Sequence, residues 1–63
     1  MNVYVQPGKI DFEISSEMKL RVMKEGVVIT DLLQNKELAI FPSEIDNVIE
    51  ALIKSKEFLS ENK

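Results

Sequence analysis

Apolar and polar residues alternate strictly along two neighbouring segments of the chain. Ile10, Phe12 and Ile14 alternate with Asp11, Glu13 and Ser15. Met18, Leu20 and Val22 alternate with Lys19, Arg21 and Met23. A period of two is the signature of a half-buried strand. Ser15-Ser16-Glu17 lies between the segments as a short loop, and pairing Ile14 with Met18 sets an antiparallel register. Phe12 then stands opposite Leu20, and Ile10 opposite Val22. On the other face Glu13 meets Lys19 and Asp11 meets Arg21, and opposite charges directly across two strands stabilise the pairing. One register satisfies both faces.

The pattern extends in both directions. In Met1 to Gln6, Val3 and Val5 share a face and Tyr4 takes the other. Pro7-Gly8 marks a turn. A two-residue loop there sets Gln6 against Lys9, Val5 against Ile10 and Val3 against Phe12. L-Pro-Gly favours a type II turn, whose twist suits a hairpin less well than the primed types, so a wider turn is also open. Lys24-Glu25-Gly26 forms the next turn, with Gly26 free to take positive φ. Val27 to Asp31 reads as a fourth strand continued by Leu32-Leu33, and Gln34-Asn35 as a turn. Glu37 to Phe41 is the fifth strand, with Leu38 and Ile40 on one side and Ala39 and Phe41 on the other.

Pro42 ends the ladder because it offers no N–H. The period then changes to that of a helix. Ile45, Val48, Ile49, Leu52, Ile53 and Leu59 line one face. Lys56 falls inside that stripe and Phe58 opposite it. Ser43 is the expected N-cap, with Asp46 three residues on as a weak capping box. Glu44 and Asp46 near the start and Lys54 and Lys56 toward the end suit the helix dipole. Glu50 and Lys54 form a favourable i,i+4 pair. The expected fold class is α+β in one domain, residues 1–63. An antiparallel meander of four to five strands (1–41) is followed by one C-terminal amphipathic helix (43–60) packed on one face, with a tail at 61–63.

One helix covers one face of a sheet. Met23, Val28, Ala39 and Phe41 remain apolar on the other, and Phe58 lies off the helix stripe. A second copy of the chain is the simplest cover for these residues, which form the candidate dimer interface. A strongly twisted sheet that curls over them is the alternative.

Composition supports self-association. A chain of 63 residues buries only about 60% of its unfolded surface, and such small domains commonly recruit a disulfide, a metal or a partner. Cysteine and histidine are both absent, which removes disulfides, thiolate zinc sites and the commonest general base. Residues 1–20 carry no basic start followed by an apolar block, so no signal peptide is expected. No apolar run approaches the roughly 20 residues of a bilayer span. A soluble, cytoplasmic protein with no membrane contact is the expectation.

Chemistry finds few candidates. Ser15, Ser16, Ser43 and Ser60 have no evident base beside them, and Asp11 and Glu13 face cations on an open sheet. The only glycines, Gly8 and Gly26, sit in turns and not in a phosphate cradle. No spacing resembles a calcium loop. The expectation is a protein that is not an enzyme and that uses no cofactor and no metal. Binding offers more. Tyr4, Lys9, Lys19, Arg21, Lys24 and Lys36 fall on or near the outer face and turns of the strands, where bases and an aromatic can hold a single strand of nucleic acid. Against this stand the net charge of −3 and the carboxylates opposite Lys19 and Arg21. Protein binding draws on the apolar second face, Phe58 and the sheet edges, which can accept a partner strand.

Gly8-Lys9-Ile10-Asp11-Phe12-Glu13-Ile14 resembles the Gly-Lys-led first strand of the positive-cofactor-four transcriptional coactivators. Leu38-Ala39-Ile40-Phe41-Pro42-Ser43-Glu44 resembles the passage of their last strand through a proline into a single helix. The likeness covers residues 8–55. It implies a ββββα fold, a homodimer related to the Whirly group, and single-stranded DNA or RNA binding on the sheets. Lys9, Lys19 and Arg21 match that family's basic strand residues by position. Asp11 and Glu13 depart from it, being acids where the family is basic or neutral. The expected function is a homodimeric module that binds single-stranded nucleic acid, in transcription or DNA maintenance. The alternative is a protein–protein adaptor or regulator that uses an apolar sheet face.

Overall fold

The computed structural model describes residues 1–61. Five strands, β1 (Asn2–Gln6), β2 (Lys9–Glu13), β3 (Met18–Met23), β4 (Gly26–Asp31) and β5 (Lys36–Ile40), form one antiparallel sheet in the order β1-β2-β3-β4-β5. A 3₁₀ turn, Pro42–Glu44, leads into the single helix α1, Ile45–Glu61. This is an α+β meander with a C-terminal helix, the architecture that the change of period predicts.

The registers follow the sequence pattern. Gln6 faces Lys9, Val5 faces Ile10 and Val3 faces Phe12, so Pro7-Gly8 is a two-residue loop. Gly8 has φ 79°, the value a type II turn demands at its third residue. Across β2 and β3, Ile10 pairs with Val22, Asp11 with Arg21, Phe12 with Leu20 and Glu13 with Lys19. Val22 and Leu20 then meet Val27 and Ile29, which meet Ile40 and Leu38. The alternation is thus continuous across all five strands. One face carries Val3, Val5, Ile10, Phe12, Leu20, Val22, Val27, Ile29, Leu38 and Ile40. The other carries the charged residues of β2 and β3.

Gly26 holds the β3–β4 turn against the end of the sheet. Its φ is 150°, and a Cβ built there would lie 2.6 Å from the Ile40 carbonyl oxygen. No real side chain carbon tolerates that approach, so the turn requires glycine.

Three local expectations change. Leu32-Leu33 does not prolong β4. The Asp31 carboxylate accepts hydrogen bonds from the Leu33 and Gln34 N–H groups, at 3.0 and 3.2 Å, and so curls the chain into a turn. Ser43 does not cap the helix. It lies inside the 3₁₀ turn, where the Phe41 N–H donates to Glu44 Oε1 at 3.0 Å and the Glu44 N–H to the Phe41 carbonyl at 2.8 Å. Pro42 presets the φ of the first turn residue and moves the start of the turn ahead of Ser43. Finally, β5 spans Lys36–Ile40, leaving Phe41 outside the ladder, and α1 includes Glu61. The rest of the expected tail, Asn62 and Lys63, falls outside the described residues.

The helix lies over the sheet without closing on it. Among the described residues no apolar side chain is buried, and the one buried residue is Asp11, 7% exposed. The chain exposes 5472 Å², against about 4,100 Å² for a compact protein of its mass. Its radius of gyration is 13.3 Å, where a compact chain of this length has about 11 Å. The longest dimension is 41 Å, roughly twice the ~20 Å span of a six-residue strand. A helix of 17 residues is about 25 Å long, and the residues of α1 that line a cleft with the sheet all lie in its first half, up to Leu52.

Candidate interaction surfaces

Each face of the sheet is a candidate, and strand alternation decides which residues share it. On the polar face the central row reads Tyr4, Asp11, Arg21, Val28, Ala39 across β1 to β5. The next row reads Asn2, Glu13, Lys19, Thr30, Glu37. Arg21 binds Asp11 through two hydrogen bonds, Nε to Oδ1 at 2.7 Å and Nη2 to Oδ2 at 3.0 Å. This fork is the strong, charge-assisted form of the interaction. It holds the Asp11 carboxyl below its ordinary range, helped by the charges of Lys19 and Lys9 and opposed by burial. The same bonds push the Arg21 guanidinium further up. The Asn2 side-chain amide donates to Glu13 Oε1 at 3.1 Å, and the Tyr4 hydroxyl stands 3.5 Å from the same oxygen.

Of the residues proposed for nucleic acid, Tyr4, Lys9, Lys19 and Arg21 share this polar face. Lys24 sits in the β3–β4 turn. Lys36 on β5 pairs with Asp31 on β4 and, by alternation with Leu38 and Ile40, lies on the opposite, helix-side face. Three cations, Lys9, Lys19 and Arg21, meet three anions, Asp11, Glu13 and Glu37, so the polar face carries no net charge. Of the residues proposed for a dimer, Met23 and Val28 are half-buried and line a shallow cleft with Lys19, Arg21, Thr30 and Glu37. Ala39 is exposed on the same face. Phe41 follows β5 at 61% exposed, and Phe58 lies on the distal half of α1 at 64% exposed. The register sets Val28 against Ala39 and Met23 against Gly26, which lies against the Phe41 backbone, whereas Phe58 stands on the distal half of α1.

The helix-side face is larger and more apolar. Leu20, Val27, Ile29 and Ile40 on the sheet look across at Ile45, Val48, Ile49 and Leu52 on the first half of α1. Between them lies a cleft of about 170 Å³ with an entirely apolar lining, which a close-packed interior would not leave open. Away from the cleft, Val3 and Val5 on β1 and Leu38 on β5 are exposed, as are Ile53 and Leu59 on the helix. The expected cover by α1 is therefore incomplete. A helix is only about 10 Å wide, whereas the outer strands of a five-stranded sheet stand roughly 19 Å apart. That arithmetic was available from the strand count, and it is the signal that marks Val3 and Val5 as uncovered.

Among the described residues no group of three or more His, Cys, Asp or Glu side chains is placed to hold a metal ion, and no helix is long and apolar enough to cross a membrane. The fold and its faces define a class: a one-layer antiparallel meander with a C-terminal helix and an open apolar side. Compared with known proteins, the chain matches no family model, and no curated protein and no solved structure matches it.

Proposed function

We propose that this chain is a non-enzymatic interaction module whose helix-side apolar surface is covered by a protein partner. One observation carries the reading: among the described residues no apolar side chain is buried, although the sheet and helix present a continuous apolar set to one another. Burial of apolar area is the main stabilising term in folding, and contiguous apolar patches beyond a few hundred Å² mark interaction sites. The exposed area in excess of a compact chain is about 1,400 Å².

A homodimeric module for single-stranded DNA or RNA, acting in transcription or DNA maintenance, is the second reading. The observation in its favour is Tyr4, 48% exposed on the same face as Lys9, Lys19 and Arg21. The balanced charge of that face and the engagement of Arg21 by Asp11 weigh against it, because such binding draws on uncompensated cations.

Titration of a fluorescently labelled single-stranded oligonucleotide at low salt, beside titration with an apolar-surface dye such as anilinonaphthalene sulfonate, separates the two. The expected result is dye binding at dilute protein and no oligonucleotide binding. Oligonucleotide binding that weakens steeply with salt and is lost in the Lys19→Glu, Arg21→Glu double variant would replace the first reading with the second.

A further inference from the structure

We propose that the partner on the helix-side surface is a second copy of this chain, in a two-fold arrangement. In it the distal half of each α1 lies on the β1–β2 part of the other copy's sheet. The inference rests on the interaction-module reading of the same surface and names its occupant.

Two apolar patches are left over on one chain, and each has the shape the other lacks. The first is the β1–β2 stretch of the sheet, where Val3 and Val5 are 48% and 75% exposed. The second is the distal half of α1, where Ile53 and Leu59 are 54% and 68% exposed. They cannot meet within one chain. The 3₁₀ turn Pro42–Glu44 ties the start of α1 to the end of β5, and β1 lies at the far edge of the sheet, roughly 19 Å away. A helix about 10 Å wide covers two strands' worth of that distance. The first half of α1 already faces β3, β4 and β5, and no residue after Leu52 lines the cleft it forms with them.

A second copy supplies both complements at once. In a two-fold interface the same patch serves both chains, so helix on sheet in one direction implies helix on sheet in the other. The helix needs no second apolar side for this. Ile53 and Leu59 continue the stripe of Ile45, Ile49 and Leu52 at helical spacing, and Lys56, which falls between them, lays its aliphatic stem along the contact with its ammonium at the rim. One side of α1 therefore meets its own sheet with the first half and the partner's sheet with the second. Asp46, Glu50, Lys54 and Glu57 stay on the outer side, facing water. Area agrees with this occupant. An excess near 1,400 Å² on each chain corresponds to roughly 2,800 Å² over two copies, within the about 2,000–5,000 Å² of obligate homodimers.

The test is a mass measurement in solution over a micromolar concentration series, on the unmodified chain and on Val5→Asp, Leu59→Asp and Ala39→Asp. Val5 and Leu59 are exposed in the single chain, so neither substitution disturbs the fold of a monomer. The expected result is a species of twice the 7.2 kDa chain mass. Its dissociation constant rises by at least about tenfold in Val5→Asp and in Leu59→Asp, since a carboxylate enters an apolar contact, and stays unchanged in Ala39→Asp on the polar face. Cross-linking of a mixture of isotope-labelled and unlabelled chains is expected to join Lys56 of one copy, which lies within the helix stripe, to the amino terminus of the other, beside Val3. A dimer dispersed by Ala39→Asp and untouched by the other two variants overturns this interface. A stable 7.2 kDa species that binds anilinonaphthalene sulfonate overturns the second copy as occupant while leaving the interaction-module reading intact. A 7.2 kDa species that binds no dye overturns both.

Discussion

The guanidinium of Arg21 on β3 grips the carboxylate of Asp11 on β2 side-on, with Nε 2.7 Å from Oδ1 and Nη2 3.0 Å from Oδ2. The two residues are directly opposed in the register, so the ladder itself places the fork at the centre of the polar face. Asp11 is the most buried residue described, 7% exposed, because Arg21 covers it.

That pairing sets an acid dependence of stability. The Asp11 carboxyl titrates below its ordinary value of 3.8, so the folded state binds its proton less readily than the unfolded state. The stabilisation is fully present above that ordinary value and is lost as pH falls through the lowered folded one. Denaturant unfolding followed from pH 6 down to about pH 2 is expected to show a steeper loss in the unmodified chain than in Asp11→Asn. Equal acid slopes would remove the pairing as the cause.

Gly26→Ala is expected to destabilise the chain by about 2 kcal/mol or more, because it combines an unfavourable φ with a clash. The added carbon would stand 2.6 Å from the Ile40 carbonyl oxygen, which is backbone and cannot swing aside. Gly8→Ala carries the φ cost alone, about 1 kcal/mol, since nothing lies within 4 Å of its added carbon. Denaturant midpoints at a fixed protein concentration give the ranking, and a reversed order would contradict the close approach.

At the strand–helix junction, Glu44→Ala is expected to cost about 1 kcal/mol, because the Phe41 N–H loses its 3.0 Å acceptor. Ser43→Ala is expected to be near neutral. Thermal unfolding of both variants checks this, and a larger loss in Ser43→Ala would restore Ser43 as the cap.

Stability is expected to rise with protein concentration. Anything that binds the folded chain and not the unfolded one shifts the transition by mass action. With the apolar face closed by another copy, the thermal midpoint climbs across a hundredfold concentration series. A midpoint independent of concentration would indicate a chain that folds alone.

Most of the sheet could be read from the chain. Between Val3 and Val22 each apolar residue has a polar neighbour, and only one register aligns both faces at once. Charge opposition at Asp11–Arg21 and Glu13–Lys19 fixes it further. The turn at Leu32–Asn35 was harder to see, because Leu32 and Leu33 carry the composition of a strand. What ends β4 is the Asp31 side chain reaching forward to two N–H groups, a local competition that hydropathy does not register. Ser43 misled for a similar reason: a good capping residue is overruled when a proline one position earlier starts the turn ahead of it.

The sequence by itself determined the meander and its helix, and the register and apolar side of β1, β2 and β3, because these depend on neighbours in the chain or directly across a hairpin; β4 and β5, apolar on both sides, took their register from the structure. Only the tertiary structure decided how far α1 reaches over the sheet. That depends on the width of five strands against one helix, and on the angle at which Pro42–Glu44 releases the chain from the end of β5. Alternation says which face is apolar, and the strand count says that one helix is too narrow to cover it, but neither says that β1 is the strand left in the open, which the direction of α1 out of the Pro42–Glu44 turn decides.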